Sequence, residues 1–228
     1  MMFLAQMGAG LRDPSVILAL AIVIVLALGL HEFSHAKFAD MAGDPTPRYY
    51  GRVTLNLFNH FDPIGTIMII FTIMTGFGIG WGKPVPMDPS KMKNPRWDHF
   101  VAVLAGPFSN LLQAIVFAML FRVLAQGGSP LMQNTFVYAL LSFGLTTNLA
   151  LCFFNLLPLG PLDGMWILGT FLPEKARFQW TRWNLTIGQF VFLAVIILGQ
   201  MSNLSIISLW IVPPIRFMMR LLLGQEIL

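Results

Sequence analysis

Charged residues are scarce in this chain: Asp, Glu, Lys and Arg make up 11% of its 228 residues, while hydrophobic residues make up 56%. A typical soluble domain carries about 25% charged residues, because such residues cover the surface that faces water. The composition therefore excludes an ordinary soluble globular domain. Together with a mean hydropathy of +0.72, it predicts a membrane protein.

Cysteine is almost absent as well, since the sequence contains only Cys152. A single cysteine excludes an intramolecular disulfide and any zinc site built from several thiolates. The net charge is +4, but the basic residues lie mostly in short loops between apolar segments. That distribution is typical of the cytoplasmic loops of a membrane protein, and we expect no nucleic-acid partner.

Long apolar runs are what the chain has in abundance. The first, residues 16–30, shows no cleavage site for a signal peptidase and is predicted to remain as an anchor. Further runs at roughly 100–121, 135–157 and 185–212 are each long enough to span a bilayer as a helix. We expect a single domain over residues 1–228, with its core at about 15–172 and C-terminal helices at about 184–228.

Residues 64–80 form an ambiguous apolar run, because Gly76, Gly78 and Gly80 interrupt it near its end. If this run does not cross the membrane, most of the basic loops fall on one face, as the positive-inside rule requires. If it crosses, they divide almost evenly between the two faces. The charge pattern therefore predicts a re-entrant segment, with the N-terminus outside and the basic loops in the cytoplasm.

The segments that flank this run have features of extended strands. Residues 52–57 alternate between polar and apolar side chains, and the prolines in 82–86 favour an extended backbone. The two segments could pair as a small β-element. The predicted fold is an all-α polytopic membrane protein with about four to six transmembrane helices, a small membrane-associated β-element and a re-entrant segment.

The first apolar run ends in His31-Glu32-Phe33-Ser34-His35. Residues four apart share one face of a helix, so both imidazoles can bind the same metal ion. Glu32 projects beside them, where a carboxylate can take a proton from metal-bound water. Ionisable groups are costly in an apolar helix, which favours a functional site over two histidines that only hydrogen-bond neighbouring helices.

Two imidazoles and a water leave a tetrahedral zinc one ligand short. Asp163 is the best candidate for that ligand, because the prolines and glycines before it interrupt any helix at the cytoplasmic end of the third span. It lies on the same side as His31 and His35 only if residues 64–80 do not cross. The alternative role is an ordinary N-cap of a short helix, which is compatible with metal binding.

With these features the chain resembles the site-2 proteases, a family of intramembrane zinc metalloproteases. Three blocks carry the resemblance over most of the chain: HEFSH at 31–35, AGPFSN at 105–110 and NLLPLGPLDG at 155–164. The resemblance implies one zinc ion per chain and peptide hydrolysis with a general base. The implied roles are zinc binding by His31, His35 and Asp163, base catalysis by Glu32, and positioning of the substrate backbone by Asn155 and Pro158.

The resemblance also covers residues 80–86, which look like the β-element that holds an unwound substrate by strand addition in short members of the family. One departure follows Asp163. Short members often continue with Gly-Gly-Arg, whereas this chain continues with Gly164, Met165 and Trp166. The proposed ligand is retained, but its immediate surroundings differ.

Three further polar residues have more than one interpretation. Asn110 and Asn155 could hydrogen-bond an extended substrate or stabilise an oxyanion, or they could join helices inside the bundle. His60 precedes the turn-forming pair Asp62 and Pro63, where a histidine is usually structural. The functional hypothesis for His60 is an inhibitory metal ligand in a resting state.

The sequence thus predicts an intramembrane zinc metalloendopeptidase that passes several times through a bacterial plasma membrane. Its partners would be the lipid bilayer and the transmembrane helices of substrate proteins, with the active site near the cytoplasmic side. The rival classes are a metal-ion transporter and an inactive protein that only binds membrane helices. Glu32 argues against both, since neither needs a base beside the ligands, and no inverted repeat indicates a transporter.

Overall fold

A computed structural model describes residues 13–75, 77–78, 80–201 and 206–224 of the chain. Within these ranges most of the chain is helical. The helices are α1 (Pro14–Ala42), α2 (Thr46–Tyr49), α3 (Pro63–Thr75), α4 (Trp97–Gln126), α5 (Thr135–Asn155), α6 (Asp163–Phe171), α7 (Glu174–Trp183), α8 (Gln189–Met201) and α9 (Ile206–Leu223).

Helices α1, α4 and α5 pack against one another and form the core. Helix α4 runs antiparallel to α1, because His35 contacts Ala102 while Ala27, two turns earlier, contacts Asn110. Small side chains on the facing surfaces let the helices approach closely and gain van der Waals contact. In a membrane this contact stabilises the packing, because lipid provides no hydrophobic driving force between helices. The fully or almost fully buried alanines are Ala19, Ala27, Ala36, Ala39, Ala102, Ala114 and Ala118.

In the described part of the chain, four helical segments are long and apolar enough to cross a membrane: Pro14–Ala42, Trp97–Gln126, Thr135–Asn155 and Glu174–Met201. The prediction of a helical membrane protein with several spanning segments is therefore confirmed. The fourth segment begins earlier than the predicted range 185–212 and ends at Met201.

The fourth span begins early because α7 and α8 are continuous through a π-helical turn, Asn184–Gly188. The buried Asn184 side chain donates to the carbonyl of Trp180 and accepts from the N–H of Gly160. These bonds satisfy polar groups around the turn. The prediction rested on the apolar run at 185–212, and an apolar run does not reveal that the helix begins earlier, at Glu174. Part of the predicted range, residues 202–205, lies outside the described residues.

Between α2 and α4 the chain forms a hairpin that begins at Phe61 and ends at Gly82, where its two ends meet. Helix α3 leads away from this meeting point, and the chain then returns alongside α3. The close approach is seen at two glycines, because a Cβ atom at Gly65 would overlap the carbonyl of Trp81 and one at Gly80 would overlap Ile69. An antiparallel bridge joins Phe61 to Gly82, and the N–H of Lys83 donates to the carbonyl of His60 at 2.8 Å. Gly76, one of the three glycines singled out in the sequence, lies outside the described residues.

The predicted strand pair is wrong for the residues that the structure describes, where a single bridge replaces a β-ladder. Residues 53–55 form bends before a 3₁₀ turn, Leu57–His60, and the side chain of Arg52 donates to the carbonyl of Lys83. Residues 83–86 have no assigned helix or strand. Pro84 and Pro86 have no N–H, so two of these four residues cannot donate to a ladder.

Candidate metal centre

His31 and His35 lie one turn apart on the buried face of α1, near its C-terminal end. Their side chains are only 6% and 5% exposed. The two Nε2 atoms are 3.0 Å apart, and the rings meet edge to face. The helical period therefore brings both imidazoles to one point, as the sequence predicted.

Asp163 supplies a third donor atom to the same point. It is the first residue of α6, and its Oδ2 lies 3.3 Å from Nε2 of His31 and 3.4 Å from Nε2 of His35. This oxygen is buried and has no hydrogen-bond partner among the described residues. Buried carboxylate oxygens are normally satisfied, so an orphan atom that faces two imidazoles indicates a place for a cation.

The three donor atoms fit a zinc ion. Ligands about 2.0–2.1 Å from a tetrahedral zinc stand about 3.3 Å from one another, and the observed separations are 3.0, 3.3 and 3.4 Å. Two imidazoles and one carboxylate are also a donor set that zinc uses in catalytic sites, where a fourth position stays open. Zinc is accordingly the cofactor that this group suits, and among the described residues no other cluster of His, Cys, Asp or Glu meets the same criteria.

Hydrogen bonds on the far side of each imidazole orient both rings. Nδ1 of His35 is 2.8 Å from the carbonyl oxygen of Ala102, and Nδ1 of His31 is 2.7 Å from Oδ1 of Asn110. Both partners are acceptors, so each Nδ1 carries the proton and each Nε2 keeps its lone pair. Both histidines are thus held in the tautomer that binds metal.

Gly106 lets α4 approach the two histidines. A Cβ atom at this position would overlap the imidazole of His35 and stand 2.8 Å from Cε1 of His31. Rings in a packed interior cannot move away without losing the hydrogen bonds that orient them. The glycine in the AGPFSN block is therefore a steric requirement of the site.

Asp163 is held in place by contacts of the segments around it. The Asn184 side chain binds the N–H of Gly160 at 2.7 Å, and the indole of Trp180 donates to the carbonyl of Met165 at 2.7 Å. At the other end of α6, the Arg96 guanidinium donates to the carbonyls of Thr170 and Leu172. Helix α6 is thus fastened to both α7 and the start of α4.

A cavity of about 440 Å³ opens beside the three donors. Glu32 lines it, and a Cβ atom at Gly82 would be 3.1 Å from Glu32 Oε1, so the backbone at Gly82 passes close to the carboxylate. Asn155 also lines the cavity, while its Nδ2 donates to the carbonyl of Leu151. Pro158 is not among the described residues that line it.

Asn110 and His60 lie away from this cavity. Asn110 is fully buried, and all its polar atoms are used, because its Nδ2 donates to Asn148 Oδ1 and to the carbonyl of Ala27. This placement favours the helix-joining interpretation over substrate contact. His60 is fully buried, donates through Nε2 to the carbonyl of Thr54, and does not belong to the group of three converging ligands found among the described residues.

Arg52 is a further charged residue near the site that the sequence did not single out. Its side chain is 2% exposed, its Nε has no partner in the described part of the chain, and it donates to the Lys83 carbonyl. Burial lowers the pKa of Arg52, and the negative charge of Glu32 opposes that shift. A guanidinium rarely loses its proton in proteins, so Arg52 adds a positive charge on the Glu32 side of the cavity.

Sequence reasoning missed Gly106, Asn148 and Asn184 as parts of the site. A signal was available for the two asparagines, because an amide in an apolar helix needs a partner and so indicates a polar network. Which residues it would contact depends on how the helices are aligned, and local sequence does not contain that information.

Comparison with known proteins finds two relatives that are named as zinc metalloproteases. The chain is 36% identical over 180 residues to "Putative zinc metalloprotease YwhC" of Bacillus subtilis (strain 168), covering 78% of this chain and 80% of that protein. It is 30% identical over 154 residues to "Putative zinc metalloprotease Rip2" of Mycolicibacterium smegmatis, covering 67% of this chain and 57% of that protein. No protein-family model matches the chain, and no solved structure matches it.

Gly106→Ala tests the packing of α4 against the metal centre. The added methyl group displaces the imidazole of His35 or His31, so we expect the zinc affinity of the purified protein to fall at least about tenfold, as for other disturbed outer-shell contacts. Competition with a chelator measures this affinity. Gly127→Ala, at an exposed position just after the same helix, is the control and should bind zinc normally. Equal affinities in the wild type and Gly106→Ala would contradict the steric requirement.

Proposed function

The chain belongs to the site-2 protease family of zinc metalloproteases, and from that membership we propose that it hydrolyses peptide bonds within or near the transmembrane segments of other membrane proteins. One observation carries the proposal. Three metal-binding atoms and a free carboxylate meet at one cavity inside a bundle of apolar helices. A protease that acted on soluble proteins would have no need to keep its site among spanning helices.

In this proposal His31, His35 and Asp163 hold the zinc ion through Nε2, Nε2 and Oδ2. When bound, zinc supplies a Lewis acid that polarises the scissile carbonyl and makes water easier to deprotonate. Glu32 takes the proton from the attacking water and delivers it to the leaving amine. Its place on the same helical turn as both histidines, in the wall of the cavity, supports this role.

The substrate would lie in the cavity as an extended chain. A helical segment has its carbonyls occupied by hydrogen bonds, so it must unwind locally before attack, and residues that weaken helices should favour cleavage. Gly82 lines the cavity, and the chain around it would pair with an unwound substrate by strand addition. Asn155, which lines the same cavity, would bind the substrate backbone, and Pro158 would shape the turn that carries Asp163.

We further propose that the hairpin at residues 61–82 is re-entrant. Its helix has 13 residues and is about 20 Å long, shorter than the bilayer's apolar core of about 30 Å. The hairpin also begins and ends at the same bridge. With this topology α1 ends on the face where α4 begins, as the contact between His35 and Ala102 requires.

The orientation follows from the charges of the loops. On this topology one face of the membrane carries Lys37, Arg48, Arg52, Lys83, Lys91, Lys93, Arg96, Lys175, Arg177 and Arg182. The positive-inside rule makes that face cytoplasmic. The N-terminus is then outside, the active site is near the cytoplasmic side of the cell membrane, and water reaches the cavity from the cytoplasm.

Neither rival class is favoured. A transporter could hold a metal ion at the same three ligands as cargo, but it would have little use for Glu32 beside them. A protein that only binds membrane helices would not need the complete set of ligands and base.

Glu32→Gln separates metal binding from catalysis. The variant keeps the three ligands, so we expect it to contain as much zinc as the wild type and to cleave a helix-weakened transmembrane substrate about 10²–10⁴ times more slowly. Removal of zinc by a chelator should stop the wild type, and added zinc should restore it. Zinc transport into proteoliposomes at equal rates in both proteins, with no cleavage by either, would support a transporter instead.

Labelling of single cysteines tests the re-entrant hairpin. In a Cys152→Ala background, Tyr50→Cys and Lys93→Cys should react with an impermeant maleimide from the same side of the membrane. Gln133→Cys should react from the opposite side. All three positions are exposed. Labelling of residues 50 and 93 from opposite sides would mean that the hairpin crosses the bilayer.

His60→Ala tests the hypothesis of an inhibitory ligand. The imidazole is bonded to Thr54, so we expect unchanged zinc content and cleavage rate and a loss of stability of about 1–3 kcal/mol from the buried hydrogen bond. Zinc content, cleavage rate and thermal unfolding of the variant measure these three effects. A several-fold faster cleavage by His60→Ala would instead support inhibition by His60.

A further inference from the structure

Asn148 is a fully buried polar residue in the middle of α5, an apolar helix. An amide in such a helix is retained only where its hydrogen bonds are satisfied. Asn148 does not belong to the cavity or to the three ligands. Its contacts nevertheless lead directly to the metal centre.

The direction of these hydrogen bonds is fixed from two sides, by Asn148 and by the backbone carbonyl of Ala27. Asn148 Nδ2 donates to the carbonyl of Gly144 at 2.8 Å, which leaves Oδ1 facing α4. Oδ1 accepts from Asn110 Nδ2 at 2.9 Å, and the same Nδ2 donates to the carbonyl of Ala27 at 3.0 Å. Asn110 must therefore present Oδ1, an acceptor, to Nδ1 of His31.

The two histidines differ in what fixes them. Nδ1 of His35 meets a backbone carbonyl, which is an acceptor that cannot reverse. Nδ1 of His31 meets a side-chain amide, which exchanges donor and acceptor when it turns by about 180°. A reversed Asn110 would present N–H groups to Nδ1, and His31 would then carry its proton on Nε2, where a metal cannot bind.

We propose that Asn148 is a positioning residue which, together with the Ala27 carbonyl, prevents Asn110 from reversing and so keeps His31 in its zinc-binding tautomer. A reversed Asn110 would direct Oδ1 at two acceptors, the Ala27 carbonyl and Asn148 Oδ1, and would lose both of its donated bonds. The inference rests on the proposed function, because it concerns the same zinc site.

Zinc affinity of purified variants, measured by competition with a chelator, tests the proposal. Asn148→Leu has similar volume but no acceptor, and we expect about tenfold weaker binding, the size typical of a lost outer-shell partner. Asn148→Asp offers Asn110 an oxygen in either protonation state and should stay within about threefold of the wild type. Asn148→Ala removes the same acceptor with a smaller side chain and replaces Asn148→Leu if that variant does not fold.

A double variant shows whether Asn148 acts through Asn110. Asn110→Leu alone should weaken zinc binding, and adding Asn148→Leu should weaken it no further, because nothing remains to be oriented. Thr146→Val is the matched control, since Thr146 donates within α5 to the carbonyl of Ser142 and has no contact with Asn110 in the hydrogen bonds described. It should bind zinc normally.

Three results would overturn the proposal. These are wild-type affinity in Asn148→Leu, equal losses in Asn148→Leu and Asn148→Asp, and losses that multiply in the double variant. Each leaves the proposed function intact as long as the wild type binds zinc and Glu32→Gln abolishes cleavage. Failure of the wild type to bind zinc would instead remove the metal centre itself.

Discussion

Three atoms with lone pairs must face one another inside a bundle of apolar helices, and the rest of the structure depends on that constraint. Nε2 of His31, Nε2 of His35 and Oδ2 of Asp163 lie 3.0–3.4 Å apart. In the described part of the chain, no group donates a hydrogen bond to Asp163 Oδ2. Such an arrangement is unfavourable in a medium of low dielectric constant unless a cation occupies it. Zinc binding and local stability are therefore coupled.

Two parts of the molecule supply the site: the three packed helices that hold the histidines, and the segments outside them that bring Asp163 and Gly82. Helices α1, α4 and α5 form the first part, and their small buried residues let the backbone of α4 contact the imidazoles at Gly106. The second part consists of α6, which brings Asp163, and the hairpin, which brings Gly82 close to Glu32.

Local features of the sequence predicted most of the helices and the grouping of His31, His35 and Asp163, because these depend on residues near one another in the chain or on the ligand number of zinc. The two histidines share a helical face, and Asp163 follows from the ligand that zinc lacks. The predicted β-element is wrong, in part because Pro84 and Pro86 have no N–H to donate to a ladder. The positions of Asn110 and Asn148 relative to His31 depend on how three helices align across 79 and 38 residues of sequence, which no local pattern records.

The most direct test of the account is the position of the bond that the zinc-loaded protein cuts. A single-span substrate would be reconstituted with the protein in liposomes, and its fragments would be identified by mass spectrometry. The account predicts a cut inside the apolar segment, displaced toward the cytoplasmic end, where His31 and Asp163 would lie. Cuts found only in the loops outside the bilayer would contradict it.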